Sequence, residues 1–396
     1  MNDRVLGTRQ QPTTPSLWKE FVPPSFLTHL RTAVAEHIEP IAEQTDREDI
    51  YPVEAIKELA RLGYTSLTLD PDVGGTGASS RTALALFEEV SYGSAAVGIS
   101  LITIFQAQTL IKTFGSADLR NSVLRQFREG LLTSYALTEA KHGSDIRHLD
   151  TKATQSNAGW ELNGRKSFIT SGSAAEAFVI LAESPAGIST FYVPAGYPGV
   201  STERTSNAAT FGLRNGPHVD LNLDRVRVPP EYLIGEDGRG IRQALTTLDH
   251  SRIMAAGISL GIARAAFEGA LRFARGRVAF DKSIATFQGI EWYFAEMLTA
   301  IDAARLLTYS SADFLDDHVE IDRHSSEAKL FASEVATDVA SRCVQICGAY
   351  GVMESAPFGR YLRDAKAYEI AGGSSEILKN TIAKSLHRQR LTGETG

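Results

Sequence analysis

Apolar residues recur at spacings of three and four in two separate parts of the chain. The clearest series are Leu27, Leu30 and Val34 near the start, Ile241, Leu245 and Leu248 after the middle, and Ala328, Ala332, Val335 and Val339 later. This spacing is the period of helices that bury one face. We therefore predict an N-terminal helical domain over 25–131 and a C-terminal helical bundle over 236–396.

Between these parts, over 132–235, short β-prone runs alternate with turn residues. The runs are Ser134–Leu137, Gly159–Leu162, Lys166–Thr170, Ala177–Leu181, Thr190–Val193 and Val219–Leu223. Many short strands at close spacing are typical of a barrel or a sandwich, and we predict a β-barrel domain. Asn163-Gly164 is a common two-residue hairpin turn, so we also predict a hairpin that joins Trp160–Leu162 to Lys166–Ile169.

The order of these parts predicts an α+β fold that is helical, then β, then helical. The C-terminal helices are long and apolar on wide faces, which is typical of a four-helix bundle whose helices also pack against other subunits. Residues 1–24 are polar and contain Pro12, Pro15, Pro23 and Pro24. We expect these residues to form a loosely ordered lead-in.

Composition excludes several classes of protein. The chain has 396 residues and a net charge of −7, without the Lys/Arg cluster that nucleic-acid binding requires. Its 2 cysteines are too few for a disulfide framework. We see neither a secretory signal nor an apolar run that would span a membrane. We expect a cytoplasmic protein with no membrane or nucleic-acid partner.

Common catalytic patterns are missing from the sequence. The 9 histidines show no metal-ligand spacing such as HExxH, so we expect no metal site. There is no Gly-x-Ser-x-Gly elbow, which argues against a serine hydrolase. The glycine clusters at 74–77 and 235–240 do not lie in the strand–glycine–helix unit of a dinucleotide fingerprint.

Five polar and glycine-containing segments are more informative. Hydroxyl groups and glycine turns at a strand end supply several hydrogen-bond donors, which suit a polar ring edge or a phosphate. The segments are Tyr135-Ala136-Leu137-Thr138-Glu139 with Gly143-Ser144-Asp145, Leu162 to Ser171, Arg277-Val278-Ala279-Phe280 with Ile284 and Gln288, Gln345 to Gly351, and Leu362 to Tyr368 followed by Gly372-Gly373-Ser374-Ser375-Glu376-Ile377.

Together and in this order, the segments resemble the acyl-CoA dehydrogenase family. The resemblance extends from Val34 to Leu386 and includes Pro71–Gly77 and Val228–Gly235. It implies a helical domain, a β-barrel domain and a four-helix bundle, assembled as a homotetramer. It also implies an FAD between barrel and bundle that reaches the neighbouring subunit, an acyl-CoA or acyl-carrier-protein substrate, and an acceptor such as an electron-transfer flavoprotein.

The resemblance also implies roles for individual residues. Tyr135, Leu137 and Thr138 would meet the edge of the flavin ring, and Phe168 and Thr170 would face the ring and its N5 atom. Gly143 and Ser144 would border the pyrophosphate and the thioester arm of the substrate. The adenine half and the pyrophosphate would be held by Arg277, Phe280 and Gln288 of the adjoining subunit, together with Gln345 and Gly348. The flavin side would be contacted by Ser374 and Glu376, and the pantetheine by Asp249 and Arg252.

The base that removes the substrate's α-proton is missing from both of its usual positions. Most members of the family carry a glutamate just before the Gly-Thr of the last motif, where this chain has Gly372. Isovaleryl-type members, which this chain resembles most in pattern, place the glutamate before the arginine of Asp-x-x-Arg, where this chain has Ser251. Neither residue is an effective base on its own, so we assign no catalytic residue.

Three hypotheses follow from this pattern. The first is an FAD-dependent acyl-thioester dehydrogenase whose base is displaced. The second is a flavin-dependent monooxygenase or N-hydroxylase on the same scaffold, which needs no α-proton base. The third is a catalytically degenerate paralogue that keeps FAD. The pair Asp249 and Arg252 favours the first hypothesis.

Overall fold

The computed structural model describes residues 17–319 and 321–392. The helices are α1 Pro24–His37, α2 Ala42–Glu48, α3 Val53–Arg61, α4 Ser80–Gly93, α5 Ala95–Phe114, α6 Ala117–Val123, α7 Gly240–Gly276, α8 Gln288–Asp316, α9 Ile321–Cys347, α10 Phe358–Tyr368 and α11 Ser375–Thr392. The strands are β1 Thr133–Ala136, β2 Lys152–Ser156, β3 Gly159–Ile169, β4 Ala177–Ser184, β5 Gly187–Pro194, β6 Val200–Arg204, β7 Val219–Val228, β8 Leu233–Ile234, β9 Val278–Ala279 and β10 Lys282–Ser283.

The middle part of the chain forms one eight-stranded sheet. From edge to edge its order is β6-β7-β3-β2-β4-β5-β8, and β1 pairs with β4 in parallel. Helices precede this sheet up to Phe127 and return at Gly240. The predicted order of a helical domain, a β domain and a helical bundle is therefore confirmed.

The hairpin predicted at Asn163-Gly164 is wrong. Strand β3 continues through this dipeptide from Gly159 to Ile169, and its register against β7 shifts between Leu162 and Gly164. A Cβ atom at Gly164 would lie 2.6 Å from the Cα of Thr151. The glycine therefore permits a close approach of backbone at a bulge rather than a chain reversal.

Part of the predicted lead-in is packed against the bundle. Trp18 is buried, and its indole Nε1 donates to Glu268 Oε1 at 2.7 Å. Its ring meets Phe267 edge-on, with the centroids 5.7 Å apart. The expectation of loose order is thus wrong for 17–24, because a large aromatic side chain anchors this segment. Residues 1–16 lie outside the described residues.

A buried ionic cluster joins the N-terminal domain to the bundle. Glu88 Oε1 accepts hydrogen bonds from Arg264 Nη1 at 2.6 Å and from Arg305 Nε at 3.0 Å. Tyr309 donates to the other oxygen of Glu88 at 2.9 Å, and Arg264 Nη1 also donates to Glu89 at 3.0 Å. Burial alone would raise the pKa of Glu88, but Arg305 and Arg264 hold it below its usual value.

Helix α7 is the central element around which the other helices pack. It contacts α4, α5, α8, α9 and α10. Any Cβ at Gly261 would overlap the backbone of Glu88 and Ser91, so glycine lets α4 approach closely. Helices α5 and α7 are long and apolar enough to cross a membrane, but their apolar windows are 83% and 94% buried within the protein. Both are therefore core helices of this fold.

We expect Arg264→Leu to lower the free energy of unfolding by about 3–5 kcal/mol, because it removes a counter-charge that the buried carboxylates of Glu88 and Glu89 share. Arg272→Leu is the matched control, since Arg272 lies on the same helix and is partly exposed. Its ion pair with Glu268 is long, with 3.9 Å between Nη1 and Oε2. The control should lose less than about 1 kcal/mol. Urea unfolding followed by circular dichroism measures both, and equal losses would contradict this account.

Candidate active site

The ends of β1 and β3 meet to form a polar rim. Ser167 N donates to Thr138 O at 2.9 Å, and Ser134 Oγ donates to Thr170 O at 2.6 Å. The two threonines that the sequence assigns to the flavin therefore lie on adjoining strand ends. We call Tyr135, Leu137, Thr138, Phe168 and Thr170 the rim.

A buried ion pair lies beneath this rim and holds its two strands together. Lys166 Nζ is 2.8 Å from Glu139 Oε1, and the Lys166 side chain is 0% exposed. Glu139 also accepts from the backbone N–H groups of Asp150 and Thr151 at 2.6 and 3.0 Å. Burial lowers the pKa of Lys166 to about 8, against the opposing effect of Glu139. The pair fixes the register of β3 relative to the chain that follows β1.

The rim has properties that fit a bound flavin. The Phe168 side chain is 58% exposed although it is a large apolar group, and its backbone has a φ of 57°. The Tyr135 hydroxyl is buried and has no hydrogen-bond partner among the described residues. Burial raises the pKa of Tyr135, so its hydroxyl remains a donor. An aromatic surface beside unused polar groups suits a flat heteroaromatic ring.

A second group of assigned residues meets at one end of the bundle. Arg277 follows α7, and its guanidinium lies 6.0 Å from the ring centroid of Tyr350. Tyr350 belongs to the turn that begins at Gly348. Phe280, with a φ of 51°, is 90% exposed and packs edge-on against Phe287, directly before Gln288. Gln345 and Gly348 are exposed, and Gly348 begins the turn whose Tyr350 lies against Arg277.

The turn at 372–376 is fixed from below by two buried cations. Lys329 Nζ donates to Gly373 O at 2.7 Å. A Cβ at Gly373 would lie 3.7 Å from Arg252 Nη2, so the guanidinium lies directly under the turn. Burial lowers the pKa of Lys329 to about 7, and the charge of Arg252 adds to this effect. Gly372 has a φ of 72° and no atom within 4 Å of a Cβ built there.

Further along this turn, Ser374 and Glu376 lie at the start of α11. The pKa of Glu376 is lowered by a hydrogen bond from its own backbone N–H and then by the Ser374 hydroxyl. These two residues therefore cap the helix locally, as polar side chains at a helix start commonly do. Their assignment to the flavin side stays a prediction.

On α7, Asp249 and Arg252 form a buried pair. Arg252 Nη1 donates to Asp249 Oδ1 at 2.9 Å, and Ser325 donates to the same oxygen at 3.0 Å. Burial raises the pKa of Asp249, and the nearby Arg252 opposes this shift. The Nε of Arg252 is buried and has no hydrogen-bond partner among the described residues, so one donor of the guanidinium is unused. The contact of both groups with pantetheine stays a prediction.

Neither usual base position presents a proton acceptor. Ser251 is buried, and its Oγ donates back to Thr247 O at 2.9 Å, which is the common pattern of serine within a helix. Gly372 has no side chain, and its positive φ confirms that glycine suits this conformation best. The turn therefore has room for a side chain but does not have one.

Sequence reasoning missed Lys329 as part of this site. A lysine within the apolar stripe of α9, one residue after Ala328, is the signal that could have found it.

A second group, Glu139, His142 and Asp150, has ligand atoms within 4.8 Å of one another. The Glu139 carboxylate is already neutralised by Lys166, so a cation there would be repelled by the lysine. This group carries no metal assignment.

Three family models match nearly the whole described chain. They are the N-terminal domain of acyl-CoA dehydrogenase over 25–130, its middle domain over 134–226 and its C-terminal domain over 238–387. The mouse mitochondrial short-chain specific acyl-CoA dehydrogenase is 33% identical over 97% of this chain and 96% of its own length. An acyl-CoA dehydrogenase of Bacillus subtilis is 35% identical over 90% and 96%.

The chain belongs to the acyl-CoA dehydrogenase family. The solved structure of butyryl-CoA dehydrogenase from Megasphaera elsdenii superposes with a TM-score of 0.89 at 31% identity, covering 93% of this chain and all of that one. This chain is therefore an FAD-dependent oxidoreductase of the acyl-CoA dehydrogenase type. When bound, FAD supplies a hydride acceptor. The rim residues would hold its ring, and Arg277 offers a fixed cation for its phosphates.

We expect Thr170→Val to alter the visible absorption band of the flavin and its rate of reduction, because the rim loses one hydroxyl beside the ring. Loss of a single hydrogen bond amounts to about 0.5–1.5 kcal/mol. Thr202→Val on the exposed strand β6 is the matched control and should leave the spectrum unchanged. Identical spectra and reduction rates for Thr170→Val and wild type would mean that the rim does not contact the flavin.

Proposed function

We propose that this protein oxidises the α,β carbon–carbon bond of an acyl thioester. The substrate would lose a proton from the α-carbon and a hydride from the β-carbon. The observation that carries this proposal is the rim, where β1 and β3 place Thr138, Thr170 and the exposed Phe168 together. The names of the most similar relatives favour dehydrogenation over the monooxygenase and degenerate alternatives.

The proton acceptor of this reaction is displaced from its usual positions. Ser251 has its hydroxyl engaged by the helix, and Gly372 has no side chain. General-base catalysis contributes about 10²- to 10⁴-fold to the rate. We therefore propose that straight-chain acyl-CoAs bind but are oxidised slowly, and that the physiological substrate is a different acyl-CoA or an acyl group on a carrier protein.

The assembly we propose is a homotetramer. Phe280 is almost fully exposed in the single chain, and α8 carries the exposed apolar side chains Trp292 and Leu306. Large apolar groups exposed on one helix typically mark a subunit interface. Sedimentation velocity of the purified protein tests this state, and a monomer with bound FAD would contradict it.

The electron acceptor we propose is an electron-transfer flavoprotein. A solved structure described as an electron transferring flavoprotein of Acidaminococcus fermentans matches this chain with a TM-score of 0.88 at 29% identity.

We also propose a cytoplasmic location. This location suits the thiols of Cys343 and Cys347, which are buried and form no disulfide.

We expect Ser251→Glu to increase anaerobic flavin reduction by an acyl-CoA about ten-fold or more, since it restores a carboxylate base. Glutamate is a good helix former, and the next residue, Arg252, is a buried cation. Gly372→Glu should gain less, because its φ of 72° strains any side chain.

Ser251→Gln is the matched control, because it has the same shape without a titratable carboxylate and should gain nothing. Stopped-flow absorbance of the visible flavin band measures all of these variants. If neither carboxylate variant exceeds wild type, and reduced wild type forms a long-lived oxygen adduct, the monooxygenase alternative replaces this proposal.

We expect Arg277→Ala to bind FAD about 10- to 100-fold more weakly, because hydrogen bonds to charged groups contribute about 1.5–3 kcal/mol. Arg275→Ala is the matched control, since Arg275 is exposed in the last turn of the same helix. Fluorescence titration of the apoprotein with FAD measures both affinities. Equal affinity in the two variants would remove Arg277 from the cofactor site.

A further inference from the structure

His218 lies against the rim from the loop that precedes β7. Its Nε2 is 3.4 Å from the Oγ1 of Thr170, which is hydrogen-bond distance. The sequence comparison with the family assigns no role to this histidine. We propose that His218 is a positioning residue that orients the Thr170 hydroxyl and thereby tunes the redox potential of the flavin. This inference rests on the proposed placement of the flavin ring against the rim.

A fixed polar cluster holds the chain on both sides of this contact. Asn215 Nδ2 donates to Ser100 Oγ at 3.0 Å and to Ser171 Oγ at 3.1 Å. Ser171 is next to Thr170, and Asn215 lies three residues before His218. The histidine and the threonine are therefore held relative to each other by their own neighbours.

The imidazole of His218 is neutral at ordinary pH. Burial lowers its pKa, and the charge of Asp49, which follows α2, opposes this shift. Asp49 Oδ1 is buried and has no hydrogen-bond partner among the described residues. The groups that act on the imidazole are thus this carboxylate and the Thr170 hydroxyl. A neutral imidazole carries one N–H donor and one nitrogen acceptor.

The two nitrogens of a neutral imidazole let the Thr170 hydroxyl either accept a hydrogen bond from His218 or donate one to it. If His218 Nε2 carries the proton, it donates to Thr170 Oγ1, and the threonine hydrogen is free for an acceptor at the rim. If Nε2 is bare, Thr170 donates to it, and the lone pairs of Oγ1 are free for a donor at the rim. Flavin N5 is an acceptor when the ring is oxidised and an N–H donor when it is reduced. A neutral histidine therefore gives the Thr170 hydroxyl an orienting partner in both redox states, whereas an apolar residue would leave the hydroxyl free to rotate.

The experiment compares His218→Leu with wild type in two-electron spectroelectrochemical titrations of the FAD-loaded protein. We expect the ratio of oxidised to reduced flavin at a fixed potential to change about three- to ten-fold, where ten-fold equals about 30 mV for a two-electron couple. The flavin absorption band should shift as well. His218→Gln keeps a donor and an acceptor and should lie closer to wild type than leucine.

His250→Gln is the matched control. His250 is also largely buried, and burial lowers its pKa to about 4. It lines a separate cavity of about 530 Å³ with Lys112 and Asp316. Its substitution should leave the flavin potential and spectrum unchanged.

A double variant decides whether His218 acts through the threonine. In a Thr170→Val background, His218→Leu should cause no further shift in potential, because its partner is already gone. An unchanged flavin potential in His218→Leu at full FAD occupancy overturns the proposal. So does a shift caused by His218→Leu that is equally large in the wild-type and Thr170→Val backgrounds. If His218→Leu does not fold, His218→Asn, whose shorter side chain cannot reach Thr170, is compared with His218→Gln in the same way.

The same series separates this inference from the proposal on which it rests. If Thr170→Val changes neither spectrum nor potential, the placement of the flavin at the rim fails. If Thr170→Val changes both and His218→Leu changes neither, only the role of His218 fails.

Discussion

The buried carboxylate of Glu88, paired with Arg264 and Arg305, is the contact on which the arrangement of this protein depends. It joins α4 of the N-terminal domain to α7 and α8 of the bundle. Gly261 lets α4 and α7 approach closely enough for these groups to meet. Because a buried charge is strongly destabilising without its partner, the pairing leaves one favourable position for α7 relative to the N-terminal domain. Helix α7 also carries Asp249, Ser251 and Arg252, so the same contact determines where the site is built.

The site contains two buried basic side chains. Arg252 and Lys329 lie beneath the turn at Gly372 and Gly373, and Asp249 is paired with Arg252 from the same helix. Burial and the charge of Arg252 lower the pKa of Lys329 to about 7, which shows how poorly this environment stabilises a second cation. A carboxylate at either usual base position would offset this charge. These buried basic groups are present although neither usual base position carries a carboxylate.

Sequence reasoning found the helical and β parts, because periodicity is a property of neighbouring residues. The roles of the site residues came from the family resemblance and stay predictions. Sequence reasoning failed where a distant contact decides the outcome. At Asn163-Gly164 strand β3 continues, with Thr151 close to the glycine, and the extra residue of the bulge lies on β7 between Val226 and Leu223. Trp18 is anchored by Glu268, which is 250 residues away along the chain. No spacing in the sequence identifies His218, whose contact with Thr170 is tertiary. Lys329 is marked only by its place in the apolar stripe of α9, and its contact with Gly373 is tertiary as well.

Backbone strain is concentrated beside the rim. Phe168 and Ser171, on either side of Thr170, have φ values of 57° and 61°, and Leu213 has a φ of 54°. Each such residue costs about 1–3 kcal/mol and persists only where its surroundings hold it in place. Asn215 holds Ser171, and Asp364 Oδ1 accepts from the backbone N–H of Leu213 at 2.7 Å. These contacts within the protein hold Ser171 and Leu213 in their left-handed conformation. Thr170 therefore lies in a segment whose backbone is fixed by tertiary hydrogen bonds to its neighbours.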